Sequence, residues 1–454
     1  MKLAVLGGGG VRSMFLAKSI AQKAEALQID RLCFMDNDPQ KLRIYGGLAK
    51  EVAARLCPAL DFSLTESAEE AVRGADYVIT TIRVGGDDMR VGDERIALSN
   101  GVLGQETTGA AGFSFAMRSV PALARYCELI RQLASPAVKV FNFTNPAGVV
   151  SQTLRDMGYD FTYGICDAPA GMLRSFAKLY GADPAEISGE VYGLNHLSYF
   201  KSITLSGREI MPELIENDRA YAETDLRYFE KDLLRDRGCV LNEYLYYFYY
   251  REQALHNILH AKKTRGEQIA DINRAMTAAL LPLDPHRDFD RCLSVFSHWY
   301  GERENNYMAE ETGVCRKAPW SFDIYAPDDG GYAGVALSFI RIAQSGEPGS
   351  MILCVPNEGA IAGLAPDDVV EVTCDVTADG CTPHTIGEVD EQNLELIRRV
   401  KNYERLSSAA LRHKDRRTAI QALTLHPLVN SYSLAKTLVD AYIRHNAGYS
   451  DGWK

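Results

Sequence analysis

The chain has 454 residues, with 49 Lys and Arg against 60 Asp and Glu for a formal charge of −11, and it is 46% hydrophobic and 24% charged. That length holds two or three ordinary domains at roughly 150 residues each, with ample buried core. The acidic balance and the lack of a basic block exclude a sequence-independent nucleic-acid binder, which needs clustered Lys and Arg to displace counterions. A phosphorylated small substrate stays open, because a few arginines suffice for it. No apolar run approaches the ~20 residues of a membrane span. The N-terminus, MKLAVLGGGG, reads as a strand entering a turn, not as a leader. The 10 cysteines are scattered without a CxxC pair and read as reduced thiols. The expectation is a cytoplasmic multi-domain α/β enzyme.

In chain order, the apolar runs Leu3–Leu6, Leu32–Met35, Tyr77–Ile82, Val138–Phe143 and Tyr163–Ile165 read as buried parallel strands. Val11–Ala26 and Thr108–Leu133 are long enough for crossover helices. Alternation of this kind predicts a doubly wound parallel sheet, an α/β fold. After about Val191 the pattern changes. Tyr199–Leu205 and Arg208–Met211 flank Ser206-Gly207 and predict a hairpin. Ala220–Arg274 reads as long and helical, Met351–Val355 and Val369–Val376 as strands, and Glu388 to His445 as mostly helical. These shifts place a boundary near residue 195, with a nucleotide-binding domain over 1–195 and a mixed α+β substrate and oligomerisation domain over 196–454.

Gly7, Gly8, Gly9 and Gly10 follow the first strand and open a helix. Glycines there let a pyrophosphate approach the backbone at the positive end of the helix. Asp36 ends the second strand about 26 residues on, where an acid binds the ribose hydroxyls of NAD. Strand, glycines, helix, strand and acid in that order predict a Rossmann-like NAD site, and the acid disfavours NADP.

In an open parallel sheet the carboxyl ends of the strands converge on the ligand crevice. The polar segments placed there are Ile82-Arg83-Val84-Gly85-Gly86 with Met89-Arg90, Gly104-Gln105-Glu106-Thr107-Thr108-Gly109, Asn142-Phe143-Thr144-Asn145-Pro146, and Gly164-Ile165-Cys166-Asp167-Ala168-Pro169 with Gly193-Leu194-Asn195-His196. A thiolate and an imidazole suit a shared divalent metal with substrate oxygens in its open positions. On residue types alone, Cys166 and His196 fit a buried thiol and a hydrogen-bonded core histidine better. His256 and His260 share a helix face, but Asn257 stands where a zinc protease needs Glu, so no second metal site is expected.

The order GGGG, DND, IRVGG…MR, GQETTG, NFTNPAG, ICDAP, YGLNH and NEYLYY resembles glycoside hydrolase family 4, from residue 1 to about 270. That family departs from the two-carboxylate mechanism by needing NAD and a divalent metal, usually manganese. The resemblance implies a lactate/malate dehydrogenase-like sheet. It also implies a reaction that oxidises the sugar at C3, removes the C2 proton, eliminates the aglycone, adds water and returns the hydride. By the same resemblance Cys166 and His196 are the metal ligands, Tyr244 is the base and Asp167 is the acid to the leaving oxygen. Asn145 touches sugar hydroxyls, Arg90 and Arg265 face a sugar phosphate, and Arg83 and Glu106 join the glycines and Asp36 on the cofactor side. Composition does not single out Tyr244, which opens the aromatic run Tyr244–Tyr250 expected to cover every face of a helix.

Within the resemblance, Cys166-Asp167 is similar to 6-phospho-α-glucosidases, whereas His426-Pro427-Leu428-Val429 through Lys436 is more like the β enzymes. The reading settles on a 6-phospho-β-glucosidase acting on a phosphorylated disaccharide or glucoside, as a homodimer or homotetramer. The alternatives within the resemblance are a 6-phospho-α-glucosidase or a member acting on unphosphorylated sugars, an α-galactosidase, α-glucuronidase or galacturonidase. More remote rivals are a non-catalytic NAD-sensing protein and a lactate- or malate-type dehydrogenase, which expects Gly-x-His-Gly; His196 lies in Gly-Leu-Asn-His-Leu.

Overall fold

The computed structural model describes residues 1–314, 319–327 and 331–454. Six parallel strands form the first layer: β1 (Lys2–Leu6), β2 (Arg31–Met35), β3 (Asp61–Thr65), β4 (Tyr77–Thr80), β5 (Lys139–Asn142) and β6 (Thr162–Gly164). Their order, β6-β5-β4-β1-β2-β3, reverses between β1 and β4, which opens a crevice beyond the carboxyl ends of those two strands. The strands read as continuous apolar runs because helices cover both faces. Leu3, Val5, Phe34, Ile79 and Phe141 are all fully buried. Strand β3 has no such run; its residues alternate between exposed and buried at the sheet edge, so it escapes a search for apolar stretches.

The later chain adds β7 (Ile187–Leu194), β8 (Leu197–Leu205), β9 (Arg208–Glu209) and β10 (Val240–Leu241), which form a small antiparallel sheet. The Ser206-Gly207 hairpin is present as the link between β8 and β9. Strands β11 (Gly349–Pro356), β12 (Val369–Val376) and β13 (Cys381–Pro383) then return to the first sheet. β11 pairs antiparallel with β6, and β12 and β13 follow outward, so the sheet has nine strands. Thr373 on β12 links the two sheets: its side-chain oxygen accepts the Val191 N–H at 2.9 Å and its hydroxyl donates to the Gly189 carbonyl at 3.0 Å. Three helices, Glu391–His413, Arg416–Leu425 and Tyr432–His445, close the chain.

The expected long helix over Ala220–Arg274 is broken. Short helices at Asp218–Glu223, Lys231–Arg237, Tyr246–Tyr249 and Arg251–His260 alternate with 3-10 turns and β10 before the helix Arg265–Leu280 begins. The aromatic run is divided too. Asn242 caps a 3-10 turn, Glu243–Leu245, through the Tyr244 N–H, and Tyr250 leaves helical geometry. Tyr246 and Tyr247 are 3% and 2% exposed within the single chain, so no second subunit is needed to bury them.

Gly7 has φ +102, and a Cβ there would sit 2.5 Å from the Thr81 carbonyl oxygen. Gly7→Ala is therefore expected to lose roughly 1–3 kcal/mol to overpacking alone, with the left-handed backbone adding to it. Urea unfolding measures this, and an unchanged midpoint would refute it.

Candidate active site

A cavity of about 410 Å³ lies over the carboxyl ends of β4, β5 and β6. Its lining includes Arg83, Asn145, Cys166 and Asp167 from the strand ends, His196 from the β7–β8 turn, and Tyr244 and Arg265 from the later chain. Residues separated by some 180 positions thus share one wall. Among the described residues seven arginines and six carboxylates line it, without a lysine, so these donors are planar guanidinium forks suited to bidentate anions.

Cys166, His196 and Tyr244 stand on the cavity wall. His196 sits at φ +63 in the β7–β8 turn, and its Nδ1 pairs with the Thr107 hydroxyl at 2.9 Å. Nε2 is the other ring nitrogen, and it carries the lone pair when Nδ1 holds the proton. Burial pushes the imidazole down to about 3, so the ring is neutral at ordinary pH, as a metal ligand must be. Burial raises the Cys166 thiol, with the nearby acids Glu371 and Asp167 adding to it. The Tyr244 ring stacks on His196 with centroids 3.7 Å apart and planes 7° from parallel. Its hydroxyl accepts from Tyr307 at 3.2 Å, while Tyr307 also donates to Glu243 at 2.8 Å. Burial, then Glu243, holds this phenol neutral well above its ordinary range. Asp167 precedes the helix Ala168–Tyr180; burial raises its carboxyl, against the pull of Arg12.

The strand-end asparagines are fixed by local bonds. Asn142 Oδ1 accepts from the Thr80 hydroxyl at 2.8 Å and the Thr144 N–H at 3.1 Å. Asn145 precedes Pro146 across a cis peptide, and its Oδ1 accepts the Ala147 N–H at 3.3 Å.

Arg83 and Arg90, also on the cavity wall, converge on Glu106, at 2.5 and 3.3 Å. Burial would raise the Glu106 carboxyl, but Arg83 and Arg90 outweigh it and hold it well below the carboxylate range. Arg90 also pairs with Glu94 at 3.0 Å. Arg265 opens its helix behind the Thr264–Glu267 capping box. Its Nη2 donates to the Arg303 carbonyl at 2.7 Å, and its buried Nη1 has no partner among the described residues. Burial lowers this guanidinium, although Glu311 opposes it. An orphaned guanidinium N–H in a cavity is an anion donor awaiting its anion.

Beside the cavity, the glycine turn joins β1 to the helix Ser13–Lys23, whose N-terminus has no side-chain cap. A Cβ on Gly8 would lie 2.5 Å from Phe34 Cβ. Asp36 ends β2 beside this turn. Its two oxygens accept the Gly9 N–H at 2.9 Å and the Asp38 N–H at 3.0 Å, leaving lone pairs for further donors. His256 and His260 stack 4.1 Å apart on their helix. No cluster of three or more metal-ligating acids, His or Cys occurs among the described residues.

Sequence reasoning missed Arg12, Asp225, Glu243, Arg303, Tyr307 and Glu311, all on the cavity wall. Arg12 carried a signal, since it follows the glycine turn directly. Arg303 and Tyr307 come from the end of the helix Phe289–Asn305 and the turn after it, where no strand end marks them.

The chain matches the Family 4 glycosyl hydrolase model over residues 2–182 and the Family 4 glycosyl hydrolase C-terminal domain model over 191–429. It belongs to glycosyl hydrolase family 4. Within family 4 it is 28% identical to the 6-phospho-beta-glucosidase BglT of Thermotoga maritima, covering 99% of both chains. It is 26% identical to the maltose-6'-phosphate glucosidase MalH of Clostridium acetobutylicum, over 98% of this chain and 97% of that one. The solved Thermotoga maritima 6-phospho-beta glucosidase with manganese, NAD+ and glucose-6-phosphate superposes with a TM-score of 0.82 at 27% identity, covering 99% of each chain. As a family 4 member the chain is a glycosidase, and the plain dehydrogenase reading falls away. No helix among the described residues is long and apolar enough to cross a membrane.

Proposed function

We propose that this glycosidase is a 6-phospho-β-glucosidase that works with NAD⁺ and a divalent cation, manganese by preference. One observation carries the reading: a single cavity is lined by Cys166, His196 and Tyr244 and also by Arg90 and Arg265, and Arg265 Nη1 has no partner among the described residues. The first set suits chemistry at the sugar ring, the second suits a phosphate.

The residues present fit both groups. The glycine turn, the uncapped helix after it and the remaining lone pairs of Asp36 suit a dinucleotide. A thiol and a neutral imidazole suit a borderline-soft cation. The set has too few protein donors to close a coordination shell, which leaves room for substrate oxygens. When bound, NAD⁺ supplies a hydride acceptor and the cation supplies Lewis acidity. Tyr244 takes the proton from sugar C2, and Asp167, whose carboxyl burial raises, gives one to the leaving oxygen. Asn145 orients the sugar hydroxyls, Arg90 and Arg265 take the phosphate, and Arg83 and Glu106 border the cofactor. The nine cysteines among the described residues are all unpaired and Cys315 lies outside those residues; free thiols support a cytoplasmic setting. A homodimer or homotetramer belongs to the same proposal by family resemblance.

Paired α- and β-nitrophenyl glucoside 6-phosphates, with NAD⁺ and Mn²⁺ omitted singly, test this. The expected result is cleavage of the β anomer only when both are present. Cleavage of the α anomer instead would reassign the chain to the 6-phospho-α-glucosidases, which Cys166-Asp167 favours. No cleavage of either, with NAD⁺ bound, would overturn the phosphoglucosidase reading.

A further inference from the structure

We infer that Glu371, on β12 outside the cavity, is a positioning residue that locks the metal-ligand turn and the base turn into one unit; this rests on the reading of Cys166 and His196 as the cation's ligands. Glu371 is 1% exposed, whereas the other acid of its strand, Asp375, is exposed. Its Oε1 accepts from Asn195 Nδ2 at 3.1 Å and its Oε2 accepts from the Ser198 hydroxyl at 2.7 Å. The Cys354 thiol, on the adjacent strand β11, points to Oε1 at 3.8 Å. Asn195 and Ser198 lie on either side of His196, the residue at φ +63. A single carboxylate therefore grips both sides of a turn whose backbone is unfavourable for a side chain as large as histidine.

The grip extends to the base. The Ser198 hydroxyl donates to Glu371, so its oxygen is left to accept, and Asn242 Nδ2 donates to it at 3.2 Å. Asn242 Oδ1 in turn accepts the Tyr244 N–H at 3.0 Å. Glu371, Ser198, Asn242 and Tyr244 thus form one directed chain, ending at the ring that stacks on His196. Only an acceptor-only group completes it. A glutamine has one acceptor oxygen, and its NH₂ meets the Ser198 oxygen only by reversing that bond, which leaves the Ser198 proton without its acceptor. Burying a carboxylate is expensive, and an apolar side chain of similar volume would fill the strand at less cost. Its presence here is explained by what it aligns.

The test compares Glu371→Gln, Glu371→Ala and Cys166→Ser with the parent enzyme. Free Mn²⁺ is counted by electron paramagnetic resonance, NAD⁺ affinity by fluorescence, and amide exchange is followed over residues 193–198 and 242–246 without metal. Glu371→Gln is expected to weaken Mn²⁺ binding about 10–100-fold, as outer partners of metal ligands do. It should speed exchange in both segments together, lower kcat more than it changes KM, and leave NAD⁺ affinity as in the parent. Unchanged Mn²⁺ affinity with unchanged exchange in both Glu371 variants would overturn the inference. If Cys166→Ser also keeps its Mn²⁺ affinity, the metal reading fails instead. Exchange in the two segments then decides whether Glu371 joins them.

Discussion

Tyr244→Phe is expected to lower kcat by about 10²–10⁴-fold, the usual contribution of a positioned general base. Binding of NAD⁺ and Mn²⁺ should stay near parent values. Phenylalanine keeps the ring that stacks on His196, and Tyr307 keeps its stronger bond to Glu243 at 2.8 Å, so the substitution removes little besides one hydroxyl. That hydroxyl is held neutral by burial and by Glu243. An unperturbed phenol ionises only near pH 10, so on the proposed reading a cation at Cys166 and His196 would help it remove a sugar proton. Tyr307 contributes by donating to the phenol oxygen, and Tyr307→Phe should therefore fall between the parent and Tyr244→Phe. Exchange of the substrate's C2 proton with deuterated solvent isolates the step from aglycone departure. Exchange at the parent rate in Tyr244→Phe would remove this residue as the base.

The central strands were legible because a sheet covered on both faces makes apolar runs, as in Leu3–Leu6 of β1 and Val140-Phe141 of β5. Strand β3 was not, because one face of an edge strand meets water. The strand-end segments pointed to the crevice without knowledge of the later chain, and Asn145, Cys166 and Asp167 do line it. Tyr244 was different. Its aromatic neighbours are as bulky as it is, and what separates it from them is the Asn242 cap and the stack on His196, both tertiary features. Arg303 and Tyr307 reach the cavity from a helix end and its turn, for which local sequence gives no direction. Glu371 did carry a signal: an acid flanked on both sides by valines within Val-Val-Glu-Val-Thr-Cys-Asp-Val. Acids seldom sit fully buried without partners, so one set between valines marks a polar network even before that network is seen.

Arg265→Ala is expected to cost roughly 2–5 kcal/mol in kcat/KM for a 6-phosphorylated glucoside, the range for truncating one side of a buried charged pair. That corresponds to about 30-fold to several thousandfold. Hydrolysis of the same glucoside without its phosphate should change far less. Arg265 is the sharper choice because Arg90 already satisfies Glu94 and Glu106, whereas the buried Nη1 of Arg265 has no partner among the described residues. Removing Nη1 costs no bond to the described protein and the fold gives up the Nη2 bond to the Arg303 carbonyl at 2.7 Å, so the loss is expected chiefly on the phosphorylated substrate. Arg265→Lys keeps the charge but lacks the planar fork, so partial recovery is expected, chiefly in KM. Equal losses on phosphorylated and unphosphorylated substrates would show that Arg265 shapes the cavity without reading the phosphate. The anion would then have to be sought among Arg12, Arg174 and Arg303 on the facing wall.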